Sequence, residues 1–341
     1  MAQIHNRKKQ HIEIIQNNPV EPFPSSFDFY RLPFKALPEI DMLKIDTSTK
    51  FLGFDLSFPF LISSMTGGEK YGSTINRNIA LAAENEKVGF GLGSMRIIDK
   101  YPEAVKTFDV KRYCPSVPMF ANLGLVQLNY GFTYEKIQKL IDLVNADGIF
   151  LHLNHLQEAI QPEGTVNFES LLPKLEAIVK KLKVPVIIKE AGHGIDKATV
   201  EKLLEVGVKW IDVSGTGGTS WAWIESYRSK DGDFGEIFKY EGIPTAECLE
   251  NLNQIKINKI AGGGIRKSLH IAKSIALGTK LAKAAKPFMH AALKYEEEVI
   301  KIIKRMKKEL IIAMFSAGCS NLADLSNLKL DKIHPQSGMK I

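Results

Sequence analysis

From residue 59 onward, short apolar runs alternate with longer stretches in which apolar residues recur every three or four positions. The runs are PFLISSM at 59–65, VGFGLG at 88–93, VPMFANLG at 117–124, GIFLHLN at 148–154, PVIIKE at 185–190, WIDVSG at 210–215, KIAGGGI at 259–265 and LAKAAKPF at 281–288. Apolar at nearly every position, they read as parallel strands covered on both faces. Between them, Asn76–Glu86, Tyr134–Val144, Leu171–Lys181, Asp196–Val206 and Ser268–Leu277 keep the i, i+3, i+4, i+7 spacing of helices laid on a sheet. Thr133 and Asp196 stand where helix caps belong. Eight such units joined by right-handed crossovers predict an α/β fold of the (β/α)8 TIM-barrel type. The competing doubly wound sheet lacks its GxGxxG turn, because Gly89, Gly91 and Gly93 fall inside a strand.

Two segments exceed the repeat. Residues 1–58 form an N-terminal arm rich in Pro and Phe, ending in DTSTKFLGFDLS, a candidate hairpin that plugs the barrel's base or flanks its mouth. Residues 59–341 make the catalytic barrel, the whole being one structural domain. Residues 216–244 form an unusually long connection after the sixth strand, and long structured loops on that side of a barrel commonly act as lids. The lysine-rich Tyr295–Leu310 reads as an amphipathic helix with a solvated outer face.

Length, 341 residues with 45% hydrophobic, allows a large core. A formal charge of +7 and a pI near 9.0 favour anionic partners in general. The charges are spread along helices with no basic tail, which argues against nucleic acid. Cys114, Cys248 and Cys319 are far apart and odd in number, so neither a disulfide framework nor a structural zinc site is expected. No signal peptide and no run of about 18 apolar residues is present, which predicts a soluble, cytoplasmic protein with no membrane partner.

Candidate chemistry gathers at the carboxyl ends of the predicted strands, which meet at one mouth in a barrel. Read together, they are Met65-Thr66-Gly67-Gly68, Ser94-Met95-Arg96, Asn122, His152 with Asn154, Lys189, Ser214 through Thr219, Gly262 to Arg266, and Ala284-Ala285. A purely structural scaffold has no use for an Arg, a Lys and a His there, each needing a partner. The glycine clusters GTGGT and GGGIR let backbone amides approach a phosphate, and the loops after strands seven and eight are the usual phosphate site of this fold. Lys189 suits the electron-accepting edge of a flavin, with Asn122 and Ser94 bonding the ring's polar edge, so FMN across the mouth accounts for these features together. A second basic group, Arg7, Lys8, His11, Arg96, His152 and Asn154, suits a diphosphate. Glu158 beside it is the odd acid, and Mg²⁺ between carboxylate and phosphate is the expected remedy.

These residues resemble a known family. RKKQHIE, SSMTGG, GLGSMR, FANLG, HLNHLQEAIQPEG, IIKEAGHGI, DVSGTGGTSWAWIE and AGGGIR, spread over residues 6–325, are similar to the type 2, FMN-dependent isopentenyl-diphosphate isomerases. The resemblance implies a reversible 1,3-allylic isomerisation of isopentenyl and dimethylallyl diphosphate in isoprenoid biosynthesis. It further implies reduced FMN, Mg²⁺, NADPH or NADH as flavin reductant, and a homo-oligomer, tetramer or octamer. Residue by residue it implies diphosphate contacts at Arg7, Lys8, Ser94, Arg96, His152 and Asn154, with His11 in the same group. It puts Mg²⁺ on Glu158 and Gln157 by the double bond. Flavin contacts are implied at Met65, Thr66, Gly67, Ser94, Asn122, Lys189, Ser214, Thr219, Gly263, Arg266, Ala284 and Ala285. His155 departs from the pattern, which often has proline there. Whether flavin or Gln157 donates the proton stays open, although a neutral amide is a poor acid for an alkene. The alternative activity on the same scaffold is an FMN-dependent oxidoreductase of the 2-hydroxy-acid oxidase type, which needs a histidine base with a nearby arginine after strand seven. There GGGIRKSLH offers only His270, inside the next helix.

Overall fold

The computed structural model describes residues 2–68, 70–229 and 233–333. Eight strands form a closed parallel barrel in chain order: β1 Phe60–Ile62, β2 Gly89–Gly91, β3 Met119–Gly124, β4 Gly148–His152, β5 Val186–Lys189, β6 Trp210–Asp212, β7 Asn258–Ala261 and β8 Leu281–Ala284. Each lies inside one of the eight apolar runs, except that β7 begins one residue before its run, at Asn258. The helices Tyr134–Val144 and Leu171–Lys181 have the predicted limits. Thr133 and Asp196 cap their helices by accepting from the backbone N–H of Lys136 and Thr199, a contribution of about 1 kcal/mol each.

Alternation along the strands sorts the barrel interior into two levels. The lower level is apolar: Leu61, Phe120, Phe150, Ile187, Ile260 and Leu281, with Trp210 packed against them. One step of two residues up, the same strands present Asn122, His152, Lys189, Asp212 and Lys283, all buried or nearly so. Gly91 on β2 leaves room for this filling, since a side chain there would come within 2.9 Å of the Phe150 ring.

Thr49–Phe51 pairs antiparallel with Phe54–Leu56, and this hairpin closes the lower end: Phe51 meets Phe120 at 5.7 Å and Trp210 at 4.9 Å between ring centroids. Of the two positions open to the hairpin, the base is the one it takes. The arm continues to the opposite end, where helix Ala2–Asn17 brings Arg7, Lys8 and His11 to the mouth. A short ladder, Tyr30–Arg31 with Asp331–Lys332, ties arm to C-terminal segment; two-residue strands carry no periodicity, and the sequence pattern did not predict them. The 216–244 connection holds helices Trp221–Ser226 and Asp233–Ile237, the first resting on helix His155–Ile160 and on the N-terminal helix. The C-terminal helix is longer than predicted, Glu296–Ala317, and ends at Gly318 with φ +69°. Among the described residues no helix is long and apolar enough to cross a membrane.

Candidate active site

Above the polar level lies a cavity with about 1540 Å³ of atom-free space, part of it continuous with solvent. The cavity runs unbroken from Arg7, Arg96 and Glu158 at one end to Gly263 and Arg266 at the other. Every residue to which the resemblance assigns a substrate, metal or flavin contact lines it except Gly67. A Cβ on Gly67 would lie 2.0 Å from the Phe108 ring, and its carbonyl accepts from Lys8, which does line the cavity.

At one end, the loops after β6 and β7 meet through glycine backbone alone. A Cβ on Gly263 would lie 2.1 Å from the Gly215 carbonyl oxygen, and one on Gly218 would lie 2.6 Å from the Gly264 nitrogen. Gly263 and Gly264 have φ of +84° and +76°, a conformation side chains resist. Arg266 and Lys286 flank this cradle and share the carboxylate of Glu21, with Lys286 Nζ at 3.1 Å and Arg266 Nε at 3.1 Å from Oε1. The arm therefore supplies an anion to the two cations, a long-range contact that no local periodicity signals.

Three buried polar atoms of the cavity wall lack a partner among the described residues: Ser64 Oγ, Thr66 Oγ1 and Asn154 Oδ1. Buried polar groups are almost always paired, so these atoms, with the glycine cradle and the lysines below, fit a polar, phosphate-bearing ring cofactor such as FMN.

At the other end, His152 Nδ1 is 2.9 Å from Asn122 Oδ1, and Asn122 Nδ2 donates to the Leu92 carbonyl at 3.0 Å. The second bond turns Oδ1 toward the imidazole, so Nδ1 carries the hydrogen and Nε2 keeps its lone pair. Burial, then the charges of Lys189, Arg96, Lys283 and Arg7, push His152 down to about 3. Neutral His152 thus offers an acceptor to the cavity, where the sequence suggested a donor. Asn154 has φ +68°, tolerated by a short polar side chain, and does not cap the helix after it. Its Nδ2 donates to Gln157 Oε1 at 3.1 Å and Glu158 Oε1 at 3.2 Å. Glu158 Oε2 accepts from Gln161 Nε2, Thr165 N and Thr165 Oγ1 at 2.7–2.8 Å, leaving Oε1 the less committed oxygen. One carboxylate beside an unpartnered amide oxygen fits Mg²⁺ bound mostly through water and phosphate oxygens; no group of three acidic or His/Cys ligands occurs among the described residues.

Gln157 is held at both ends, its Nε2 donating to Glu225 Oε1 at 2.9 Å. Glu225, fully buried in the 216–244 connection, also meets His11 Nε2 at 2.9 Å and Arg228 Nη1 at 2.5 Å. Burial acts against its charge, but the bonds from His11, Gln157 and Arg228 win and lower it to about 2. Arg228 and Arg7 in turn share Glu163, at 2.7 and 3.7 Å. Sequence reasoning missed Glu225, Asp212 and Lys283. Strand alternation puts the last two on the inner face, two residues above Trp210 and Leu281, but carries no signal that they pair with each other. His155 lies outside this network, exposed and edge-on to Phe168 at 6.4 Å. It holds the first helical position, where proline's fixed φ would be accommodated.

Residues 150–332, more than half the chain, match the model of the FMN-dependent dehydrogenase family. Solved structures of mandelate oxidase share the fold: a variant with a C4a-OH-FMN adduct superposes with TM-score 0.64 at 16% identity over 96% of this chain and 99% of that one. The protein is thus a barrel of the FMN-dependent dehydrogenase class. Within that class, curated relatives match over nearly the full chain. Isopentenyl-diphosphate delta-isomerase of Nostoc sp. is 41% identical over 96% of this chain and 95% of its own, and that of Rickettsia prowazekii 42% over 95% and 96%. The enzyme of the same name from Oceanobacillus iheyensis is 39% identical over 98% of both. The chain belongs to the isopentenyl-diphosphate delta-isomerase family.

Proposed function

We propose that this protein interconverts isopentenyl and dimethylallyl diphosphate, with FMN at the glycine end of the cavity and the diphosphate at the Arg7, Arg96 and Glu158 end. The observation that carries this reading is that one cavity joins both ends. An oxidase needs only a flavin and a small acid, and the second, arginine-rich end would then be idle. His270 also argues against the oxidase alternative: it lies outside the cavity wall, its Nδ1 3.0 Å from the Gly264 carbonyl and its Nε2 3.0 Å from Asp28.

Arg7, Lys8 and Arg96 bind the diphosphate by charge-assisted hydrogen bonds, and Glu158 with the amide oxygen of Asn154 holds Mg²⁺ against it. His152 takes up a proton as the anion binds, changing from acceptor to donor. Gln157, fixed by Glu225 and Asn154, orients the five-carbon chain at the double bond. Ser94, Asn122, Met65, Thr66, Ser214, Thr219, Ala284 and Ala285 seat FMN, with Gly263 and Arg266 at its phosphate and Lys189 beside its ring. When bound and reduced, FMN supplies an electron-rich face that can lend and recover the allylic proton. Helix Ala2–Asn17 and the 216–244 connection cover the mouth and exclude water from the cationic transition state. NADPH or NADH serves only to reduce the flavin, and the enzyme works in the cytoplasm as a homo-oligomer.

Anaerobic incubation with FMN, NADPH, Mg²⁺ and isopentenyl diphosphate tests this reading. The dimethylallyl isomer should accumulate without matching NADPH loss. Consumption of one NADPH per product, or no isomer, refutes it.

A further inference from the structure

Lys283 has no part in the chemistry above, yet it is among the most deeply placed charges in the molecule. It rises from β8 with its Nζ 5.3 Å from the centre of the Phe150 ring and forms an ion pair with Asp212 of β6. Asp212 is fully buried and also accepts from Ser214 Oγ at 2.8 Å. Gly262 gives the pair its space, since a Cβ there would lie 2.6 Å from Lys283 Cε and 2.7 Å from Asp212 Oδ1. Lys189 of β5 stands beside this pair, close enough to Lys283 to share a hydrogen bond.

Two ammonium groups therefore face one aspartate on the polar level. The other charged neighbours are accounted for. Glu190 Oε2 accepts the backbone N–H groups of Ala191, Gly192 and His193 at 2.6–2.7 Å, and its Oε1 accepts from Asn154 N at 3.2 Å. His152, in register with Lys189 across the β4–β5 pair, is neutral, and Arg96 acts on it from the loop after β2. With Asp212 committed to Lys283, Lys189 is the charge left without a full counter-ion. Burial, then the repulsion of Lys283, depress it to about 7 although Asp212 and Glu190 pull the other way.

We propose that the Asp212–Lys283 pair makes Lys189 a proton store for the cofactor site. Lys189 gains a proton when negative charge appears on the flavin edge it faces and loses it when that charge is withdrawn, while Lys283 acts as a positioning residue by keeping Asp212 from Lys189. The inference rests on the FMN reading. Two electrons and one proton, delivered as hydride from a nicotinamide or as electrons from dithionite plus a solvent proton, convert the oxidised ring to its reduced anion. A second solvent proton converts the Lys189 amine to ammonium.

Potentiometry of the FMN-loaded protein from pH 6 to 9 tests the idea. One extra proton makes reduction tenfold more pH-sensitive per unit, about 30 mV for a two-electron couple. The midpoint potential of the wild type should fall by about 30 mV per pH unit below neutrality and about 60 mV above it. Ionisation of the ring itself bends such a plot the opposite way. In Lys283→Met, Asp212 is free to pair with Lys189, which stays charged, so the plot should be straight at about 30 mV; Lys283→Arg should restore the bend. An unbent wild-type plot, or one unchanged in Lys283→Met, overturns the proposal. If the protein takes up no FMN, shown by no yellow absorbance after gel filtration, the cofactor reading has failed. The store is then decided by ¹³Cε-lysine NMR of the free protein, the Lys189 signal being assigned by its loss in Lys189→Met. A midpoint near neutrality that rises by more than one pH unit in Lys283→Met upholds the store; ammonium up to pH 9 in both refutes it.

Discussion

Replacing His152 by Gln probes the buried imidazole that links the strand layer to the cavity. In the folded protein this ring is neutral down to about 3, with burial the first cause, whereas an unfolded histidine titrates near 6.5. Below pH 6.5 the unfolded chain therefore binds a proton that the native state refuses, and wild-type stability falls as pH falls, until the native ring also protonates near pH 3. Each unit of separation corresponds to about 1.4 kcal/mol. Between pH 8 and pH 5, about 1.5 units of that window are crossed, so His152 alone should cost the cofactor-free wild type about 2 kcal/mol. His152→Gln also loses the bond to Asn122, worth about 1 kcal/mol, but that loss is the same at both pH values. The assay is urea unfolding followed by tryptophan fluorescence and circular dichroism at pH 8 and pH 5 for both proteins. The variant should be the less stable at pH 8 and should close the gap, or overtake the wild type, at pH 5. A stability difference between the two proteins that does not change with pH would mean that His152 titrates normally in the fold, and that its burial does not hold it neutral.

Diphosphate binding should draw a proton onto His152, so calorimetric titration with Mg²⁺ and inorganic diphosphate at pH 7.5 should show uptake that depends on the buffer's ionisation heat and disappears in His152→Gln. Gln157→Leu removes the amide fixed by Glu225 and Asn154; it should lower kcat by about 100-fold or more, within the range of a lost proton-transfer partner, while diphosphate affinity changes less than about threefold. Glu158→Gln should weaken diphosphate binding at least about tenfold in the presence of Mg²⁺ and little in EDTA, as isothermal titration can show. Lys189→Ala should lower the flavin reduction potential by tens of millivolts, about 30 mV for each tenfold loss in preference for the reduced form; an unchanged potential removes its role.

The barrel was legible because parallel strands must be apolar throughout and the helices must carry a 3.6-residue stripe. All eight apolar runs hold a strand, and no other short-range signal competes. The candidate site was legible where unusual polar residues stand on strand ends, as at His152, Asn154 and Lys189, which line one cavity. What escaped was set by long-range geometry. Asp212 and Lys283 read as ordinary members of strands until closure brings β6 and β8 together across the barrel. Glu225 looked like one acid in a polar loop, and only its burial against His11, Gln157 and Arg228 gives it a duty. Hydrogen-bond direction was likewise invisible: the residues at 152 and 154 were readable, but not that both would turn acceptors to the cavity.

The claim that this cavity isomerises without consuming reductant is tested most directly by dispensing with nicotinamide. Protein loaded with FMN should be photoreduced once under anaerobic conditions, then mixed with Mg²⁺ and a 100-fold excess of isopentenyl diphosphate in deuterated buffer. Many equivalents of dimethylallyl diphosphate per flavin, carrying solvent deuterium, with the flavin still reduced at the end, are predicted. Reoxidation of the flavin in step with at most one product per site would contradict the account.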